Sequence, residues 1–441
     1  MKQANGCFRM KHRETIGTDR PVAGRRRPGA VRGMRLAFGG ILLAAALAAG
    51  GPLQAAVPAA ETDPCQDGRA APALRCAQAP SARFDAAGRL WVAWAQGGHV
   101  YVSRSGDGGR SFGAPVRVNA EPQKIGAHGE NRPKIAFGPQ GEIYVSWTEL
   151  LNRRFTGHIR FARSLDGGRS FGAPLIVNDD RAEISHRFDA LTVDGDGNIL
   201  IAWLDKRDQA RAAGRGEEYR GAALYYTWSD DRGRSFKPNR KLLDNSCECC
   251  RVVAAVDPDG RPALMWRHVF GDHIRDHALV SFDAPGAPTE PVRVSFDEWR
   301  VDACPHHGPA LDIDADGVYH MAWFNNAERR HGVFYAHSGD RGRSLSEPVP
   351  VGTYDAGAGH ADVLAHAGHV YLVWQEFDGK TNRVRLMRSA DGGRVWGAVE
   401  DVAQSDGEVD YPFLITDGDA VYVAWHTRAE GFRLLSVGKG G

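Results

Sequence analysis

The sequence predicts an all-β protein, a β-propeller of four-stranded antiparallel blades, and three observations carry that prediction. A short phrase recurs five times: SGDGGRSF at 105–112, SLDGGRSF at 164–171, SDDRGRSF at 229–236, SGDRGRSL at 338–345 and SADGGRVW at 389–396. Seven β-rich runs end in tryptophan, at Trp94, Trp147, Trp203, Trp266, Trp323, Trp374 and Trp425, with spacings of 51 to 63 residues. The composition is ordinarily globular, 42% hydrophobic, and 53 glycines suit a chain dominated by turns. A phrase that returns at such intervals marks a supersecondary unit that buries no core alone, so the units stack into one body. Four-stranded units repeated radially make a propeller.

Each unit reads in the same order. An apolar strand comes first (PKIAF, FDALTV, VVAAV, PALDI, ADVLA, PFLIT), then the Trp strand, then a third strand such as HVYVSRS or VFYAHS. The third strand runs into the repeated phrase, which turns it into a fourth. In that turn the Asp carboxylate accepts backbone N–H groups, glycine supplies positive φ, and the closing aromatic is expected to pack under the hairpin. Asp107, Asp166, Asp231, Asp340 and Asp391 therefore read as fold-formers rather than catalytic acids or calcium ligands. A decayed copy, Ser281-Phe282-Asp283-Ala284-Pro285-Gly286, fills the long step from Asp231 to Asp340. Seven Trp strands imply seven blades, with six as the runner-up. The last unit ends at LLSVGKGG without a fourth strand, so the segment Ala73-Leu74-Arg75-Cys76 is expected to supply a closing one.

Charge separates a leader from the body. Residues 1–59 hold ten Lys/Arg against Glu14 and Asp19, leaving about −7 for the rest of a chain whose net charge is +1. A mildly acidic body without a basic run gives no reason to expect nucleic-acid binding. The leader continues into an apolar stretch, 36–49 (LAFGGILLAAALAA), then Gly50-Gly51-Pro52 and an Ala-rich exit, which is the layout of a secretory signal. Met34 is an alternative start, and cleavage after Ala55 or Ala59 fits equally. The run is short for a membrane span, so no transmembrane segment is expected after cleavage. The expected organisation is a leader and signal peptide at 1–59, an extension with the closing strand at 60–80, and the propeller at 81–441. The mature chain is expected to be periplasmic or extracellular.

The repeated phrase is similar to the Asp-box (BNR) repeat, and the chain from about residue 72 onward resembles the sialidase superfamily of Asp-box propellers. Such propellers host glycosidases, lectin-like binders and assembly factors, so the fold alone does not name an activity. In a propeller the innermost strands begin near the central channel, and the residues before them converge on one mouth, the default site. Those positions include His128, Glu130, Asn131, Arg132, His186, Arg187, Arg251, Cys304, His306, His307, His360, Asp362, Asp410 and Tyr411.

The resemblance implies a substrate carboxylate gripped by three arginines and a tyrosine nucleophile activated by glutamate. Arg132, Arg187 and Arg251, with Asp362, match the binding role, and Tyr411 with Glu130 the catalytic one. The Phe/Tyr-Arg-Ile-Pro element of sialidases is absent; Asn131-Arg132-Pro133 only echoes it. The competing role for these arginines is to pair with Asp189, Asp362 or Asp410 and brace the ring.

SCECCR at 246–251 and DACPHHGP at 302–309 both open innermost strands. They resemble elements of a group of bacterial sialidase-like proteins, Cys-x-Cys-Cys and Cys-Pro-x-x-Gly-Pro. In an exported chain the six cysteines 65, 76, 247, 249, 250 and 304 read first as disulfides, with Cys65–Cys76 pinning the closing strand. The other reading is a copper or zinc site formed by Cys249, Cys250, Cys304, His306 and His307. His268, His273 and His277 read as an exposed loop, and GRGEEYRG at 214–221 as a long charged loop. Two functions follow as expectations: a glycan-directed propeller of exo-α-sialidase type, or a non-catalytic envelope binding protein with a Cys/His metal site.

Overall fold

The computed structural model describes Cys65 and residues 70–439; the leader, the apolar run and the cleavage site lie outside the described residues. Seven antiparallel sheets follow one another along the chain: blade 1 (78–117), blade 2 (134–176), blade 3 (186–246), blade 4 (253–293), blade 5 (310–351), blade 6 (359–406) and blade 7 (413–439). Their innermost strands are Gln78–Phe84, Lys134–Phe137, His186–Val193, Val253–Val256, Ala310–Ile313, Gly359–His366 and Phe413–Thr416. These touch in cyclic order, the last against the first, so the ring closes with seven blades and not six.

The tryptophans explain why the blades stack. All seven are at most 1% exposed, and each lies between its own blade and the preceding one. Trp147 lies among Val100 and Val102 of blade 1, Trp203 among Ile159 and Phe161 of blade 2, and Trp323 against Met265 and Leu279 of blade 4. Trp94 completes the circle in a cluster with Tyr422, Phe432 and Leu434 of blade 7. The core is thus a series of wedges between blades, each filled by an aromatic that buries a large apolar area.

The repeated phrase forms the turn expected of it. Ser164 Oγ donates to Asp166 Oδ1 (2.7 Å) and accepts the Gly168 N–H (2.9 Å), while Asp166 also accepts the N–H and Oγ–H of Ser170. The same bonds recur around Asp107, Asp231 and Asp340, and the backbone ones around Asp391. These carboxylates are held well below the usual range by hydrogen bonds from the Ser side chain and backbone. The closing aromatic, however, packs across to the preceding blade: Phe236 meets Phe161 edge-on at 5.0 Å and Trp396 meets Tyr335 at 4.9 Å. Phe112 does so onto Phe432 of blade 7. In the decayed copy, the third strand His277–Ala284 turns directly into Ala287–Pro288.

Two expectations change. Blade 7 has three strands, and Leu74–Cys76 is a 3-10 turn against its outer strand Gly431–Lys439 rather than a fourth strand. The turn spends its own hydrogen bond internally, Cys76 N–H to Ala73 O at 2.9 Å, so it offers no ladder to the sheet edge. Cys65 and Cys76 are bridged as expected, which holds this turn. The segment before GRGEEYRG is an α-helix, Arg207–Gly214. His268 and His277 are buried rather than exposed; His277 begins the third strand of blade 4. Among the described residues no helix is long and apolar enough to cross a membrane.

Candidate functional site

The segments leading into the innermost strands meet at one end of the channel. A tight turn, His128 N–H to Asn131 O and Asn131 N–H to His128 O, points Glu130 inward. Gly129 in that turn lies so close to Tyr411 that a Cβ would sit 2.0 Å from the ring, so only glycine fits. Glu130 is buried and accepts the Arg251 backbone N–H (2.8 Å), the Gly308 N–H (2.8 Å) and the Arg251 guanidinium (3.3 Å), with His360 Nδ1 at 3.6 Å. A Cβ on Gly308 would meet Arg251 at 2.2 Å and Glu130 at 2.6 Å, so blade 5 approaches this carboxylate by virtue of a bare backbone. Burial alone would raise the Glu130 carboxyl; Arg251, His360 and the backbone N–H groups outweigh it and hold the group ionised.

The arginines brace the ring. Arg132 makes a bidentate pair with Asp410 (2.8 and 3.1 Å) and donates to Gly129 O and to Pro80 O of the strand in blade 1. Arg251 donates to Pro309 O and Ala361 O besides Glu130. Both guanidiniums lie over the Phe413 ring. Blades 1, 2, 4, 5, 6 and 7 are thereby tied through two guanidiniums, Glu130 and Asp410. Below them the channel holds a cavity of about 270 Å³ lined by Glu130, Arg132, Lys134, Arg251, Asp362 and Phe413. Asp362 accepts the Leu414 N–H (2.9 Å), and burial pushes its carboxyl up.

A stack of rings covers one side. Phe324, His307, His360 and Tyr411 lie face to face at 4.1, 4.3 and 3.5 Å. Burial raises the Tyr411 phenol, and the nearby carboxylates of Glu130 and Asp410 raise it further, so it stays protonated. The other side is different. Arg187, half-buried, makes no hydrogen bond or ion pair among the described residues; its guanidinium lies over Phe188 (4.8 Å) and towards Phe155 (5.9 Å). Phe155 is 62% exposed, and Arg154 also lies over it. His128 stands edge-on to Phe188 and is held down to about 4 by burial and by the positive charges of Arg187 and His306. The mouth thus carries a cationic flank with an exposed aromatic beside it.

The sequence-predicted residues divide accordingly. Glu130, Arg132, Arg251, Asp362 and Tyr411 converge on the channel, and His307 joins them through the ring stack. Arg187 stands apart with His128 and His306, the latter exposed. Cys249 and Cys250 are buried with Cys247, and Cys304 is exposed beside Cys249. Sequence reading missed Phe155, Arg154 and the part played by Cys247. Cys247 was visible within SCECCR; nothing in the sequence distinguished Phe155 from other loop aromatics.

A family model described as a BNR repeat-like domain matches residues 158–423, more than half of the chain. The chain belongs to that family. The Asp-box resemblance rests on this match together with the repeats themselves. No curated protein matches the chain. Among solved structures, it is similar to a polysaccharide lyase of family PL25, an ulvan lyase, at TM-score 0.55 and 13% identity, over 82% of this chain and 92% of that one. The polysaccharide lyase Uly1 is similar at TM-score 0.50 and 11% identity, over 80% and 88%. A Hadza microbial sialidase reaches TM-score 0.44 at 14% identity, over 79% and 76%. At these identities the likeness is one of fold.

Proposed function

We propose that this BNR-repeat propeller is an exported glycan-directed protein whose mouth binds an acidic saccharide. The observation that supports this reading is Arg187, a guanidinium at the mouth without a hydrogen bond or ion pair to the protein among the described residues. A guanidinium binds a carboxylate or sulfate through paired N–H donors, and an aromatic beside it offers an apolar face to a sugar ring. Arg154 adds positive potential on the same flank. The fold relatives include a polysaccharide lyase, an ulvan lyase, bound to -[GlcA(1-4)Rha3S]-, which agrees with the ligand class.

The finer reading, sialidase-type hydrolysis, asks more of the site than its contacts supply. Arg132 and Arg251 are each committed to a carboxylate of the protein, which a substrate carboxylate would have to displace. Glu130 accepts from Arg251 and Gly308 rather than serving as base for Tyr411. The phenol is pushed away from the phenolate that a nucleophile requires. Recognition without hydrolysis is therefore the function we propose.

The test uses purified protein, an array of sialylated, uronic-acid and sulfated oligosaccharides, and a fluorogenic sialoside. Binding of acidic glycans over neutral ones, lost in Arg187→Ala and without turnover, is the expected result. Turnover abolished by Tyr411→Phe would replace this reading with the hydrolase, and binding indifferent to ligand charge would remove it.

A further inference from the structure

Beside Arg187, which lies within electrostatic reach of Cys249 and Cys304, blade 3 hands over to blade 4 through a turn whose chemistry the glycan reading does not use. Residues Cys247-Glu248-Cys249-Cys250 curl so that three sulfurs face inward, all within 4.8 Å of one another. The Sγ of Cys247 lies 3.2 Å from that of Cys250 and 3.9 Å from that of Cys249. All three residues are buried, while Glu248 turns outward to Lys206 (2.7 Å). Both ends of the turn are fixed: Cys247 N–H donates to Arg267 O (2.9 Å), and Arg251 N–H to Glu130 (2.8 Å).

These separations have a chemical meaning. A covalent bridge needs sulfurs at about 2.0 Å. Three sulfurs bound at about 2.3 Å to one central ion stand about 3.8–4.0 Å from each other. The Cys247–Cys249 separation matches the second value, and the Cys247–Cys250 separation lies between the two.

The surroundings complete the case. Arg267, 1% exposed, donates to the carbonyls of Arg275, His307 and Phe324. Arg275, also buried, donates to Val301 O and has only the exposed Asp302 at 3.9 Å. Both guanidiniums lie within electrostatic reach of Cys247. Two buried positive charges held largely by carbonyls call for negative charge nearby, since unpaired buried charge is costly. Three thiolates around one monovalent cation carry a net −2, which Arg267 and Arg275, with Arg187 within reach of Cys249, offset.

We infer that Cys247, Cys249 and Cys250 form a three-thiolate site for a single cuprous ion. A soft, three-sulfur set suits Cu(I), whereas zinc calls for a fourth ligand. Cys304 is exposed, lies within electrostatic reach of Cys249, and lines a surface pocket of about 330 Å³ with Glu248, His273 and Arg275. It therefore marks the entry to the site rather than part of the ion's resting shell. His306 and His307 drop out of the ligand set: His307 is held in the ring stack, and His306 belongs to the cationic flank.

The experiment takes the full chain, reduced and handled without oxygen, and titrates it against Cu(I) buffered by bathocuproine disulfonate. One equivalent should leave the chelator, with sulfur-to-metal charge-transfer absorption and an X-ray absorption shell of three sulfurs. Cys250→Ser should abolish that transfer. Arg275→Gln, which keeps all three thiols, should weaken it about 10–100-fold. Cys304→Ala should keep the stoichiometry while slowing uptake. Failure of the wild-type chain to take copper from the chelator overturns the site. So does a Cys247–Cys250 bridge mapped in protein isolated without reductant. Preference for zinc with four sulfurs, lost in Cys304→Ala, overturns the cuprous assignment.

Discussion

At the scale of single residues, the mouth is governed by two carboxylates that the protein keeps for itself. Asp410 and Arg132 form a bidentate pair largely out of solvent. Removing one charge of such a pair strands the other, so Asp410→Asn should cost about 3–5 kcal/mol in urea unfolding, with little change in the m-value. Glu130 has the further consequence of a pH dependence. Its folded-state carboxyl is held below the value of about 4.3 that it has in an unfolded chain. Its stabilisation is therefore complete above that value and is lost as pH falls through the folded-state one. Glu130→Gln should lower stability at neutral pH and flatten the acid limb of the pH–stability curve; an unchanged acid limb would contradict the ionised, paired Glu130. The sequence showed that these side chains would gather at one mouth, because each precedes an innermost strand. It did not show who pairs with whom. Glu130 and Arg251 are 121 residues apart and Arg132 and Asp410 are 278 apart, and only ring closure brings them together.

At the scale of the element, the Asp-box turn joins neighbouring blades as well as capping its own hairpin. Ser164 is nearly inaccessible, and its Oγ satisfies the buried Gly168 N–H. Ser164→Ala leaves that donor unpaired and should cost about 1–3 kcal/mol, read as a lower midpoint in denaturant. Phe236→Ala should weaken the packing of blade 3 on blade 2, because Phe236 lies against Phe161. The local half of this turn was legible: Ser, Asp and Gly bond to neighbours within four residues. The non-local half was not, since the partner of the closing aromatic depends on which blade lies alongside. The same limit explains Leu74–Cys76. An apolar segment of the right length was available, but whether its N–H groups face a sheet edge is set by a turn that sequence pattern does not encode.

At the scale of the whole molecule, the seven tryptophans were the most legible feature, since their period is the period of the fold. Each wedges against the preceding blade, so the ring is held by repeated aromatic contacts and closed by Trp94, Phe112, Tyr422 and Phe432. Near that seam the Cys65–Cys76 bridge holds the turn packed on blade 7. Replacing both cysteines by serine should lower stability by about 3 kcal/mol, as expected for a short closed loop, and loosen the N-terminal segment in hydrogen exchange. A ring this braced presents its mouth as a preformed surface, and the part of that surface not consumed by internal pairing is the flank around Arg187.

The measurement that bears most directly on this account is a calorimetric titration of an acidic oligosaccharide into wild-type protein, Arg187→Ala and Arg187→Lys. We expect a saturable, salt-sensitive isotherm for wild type, loss of at least about tenfold in affinity for Arg187→Ala, and partial retention for Arg187→Lys, which keeps the charge but not the fork. Equal affinity in wild type and Arg187→Ala would place the ligand elsewhere and contradict the central claim.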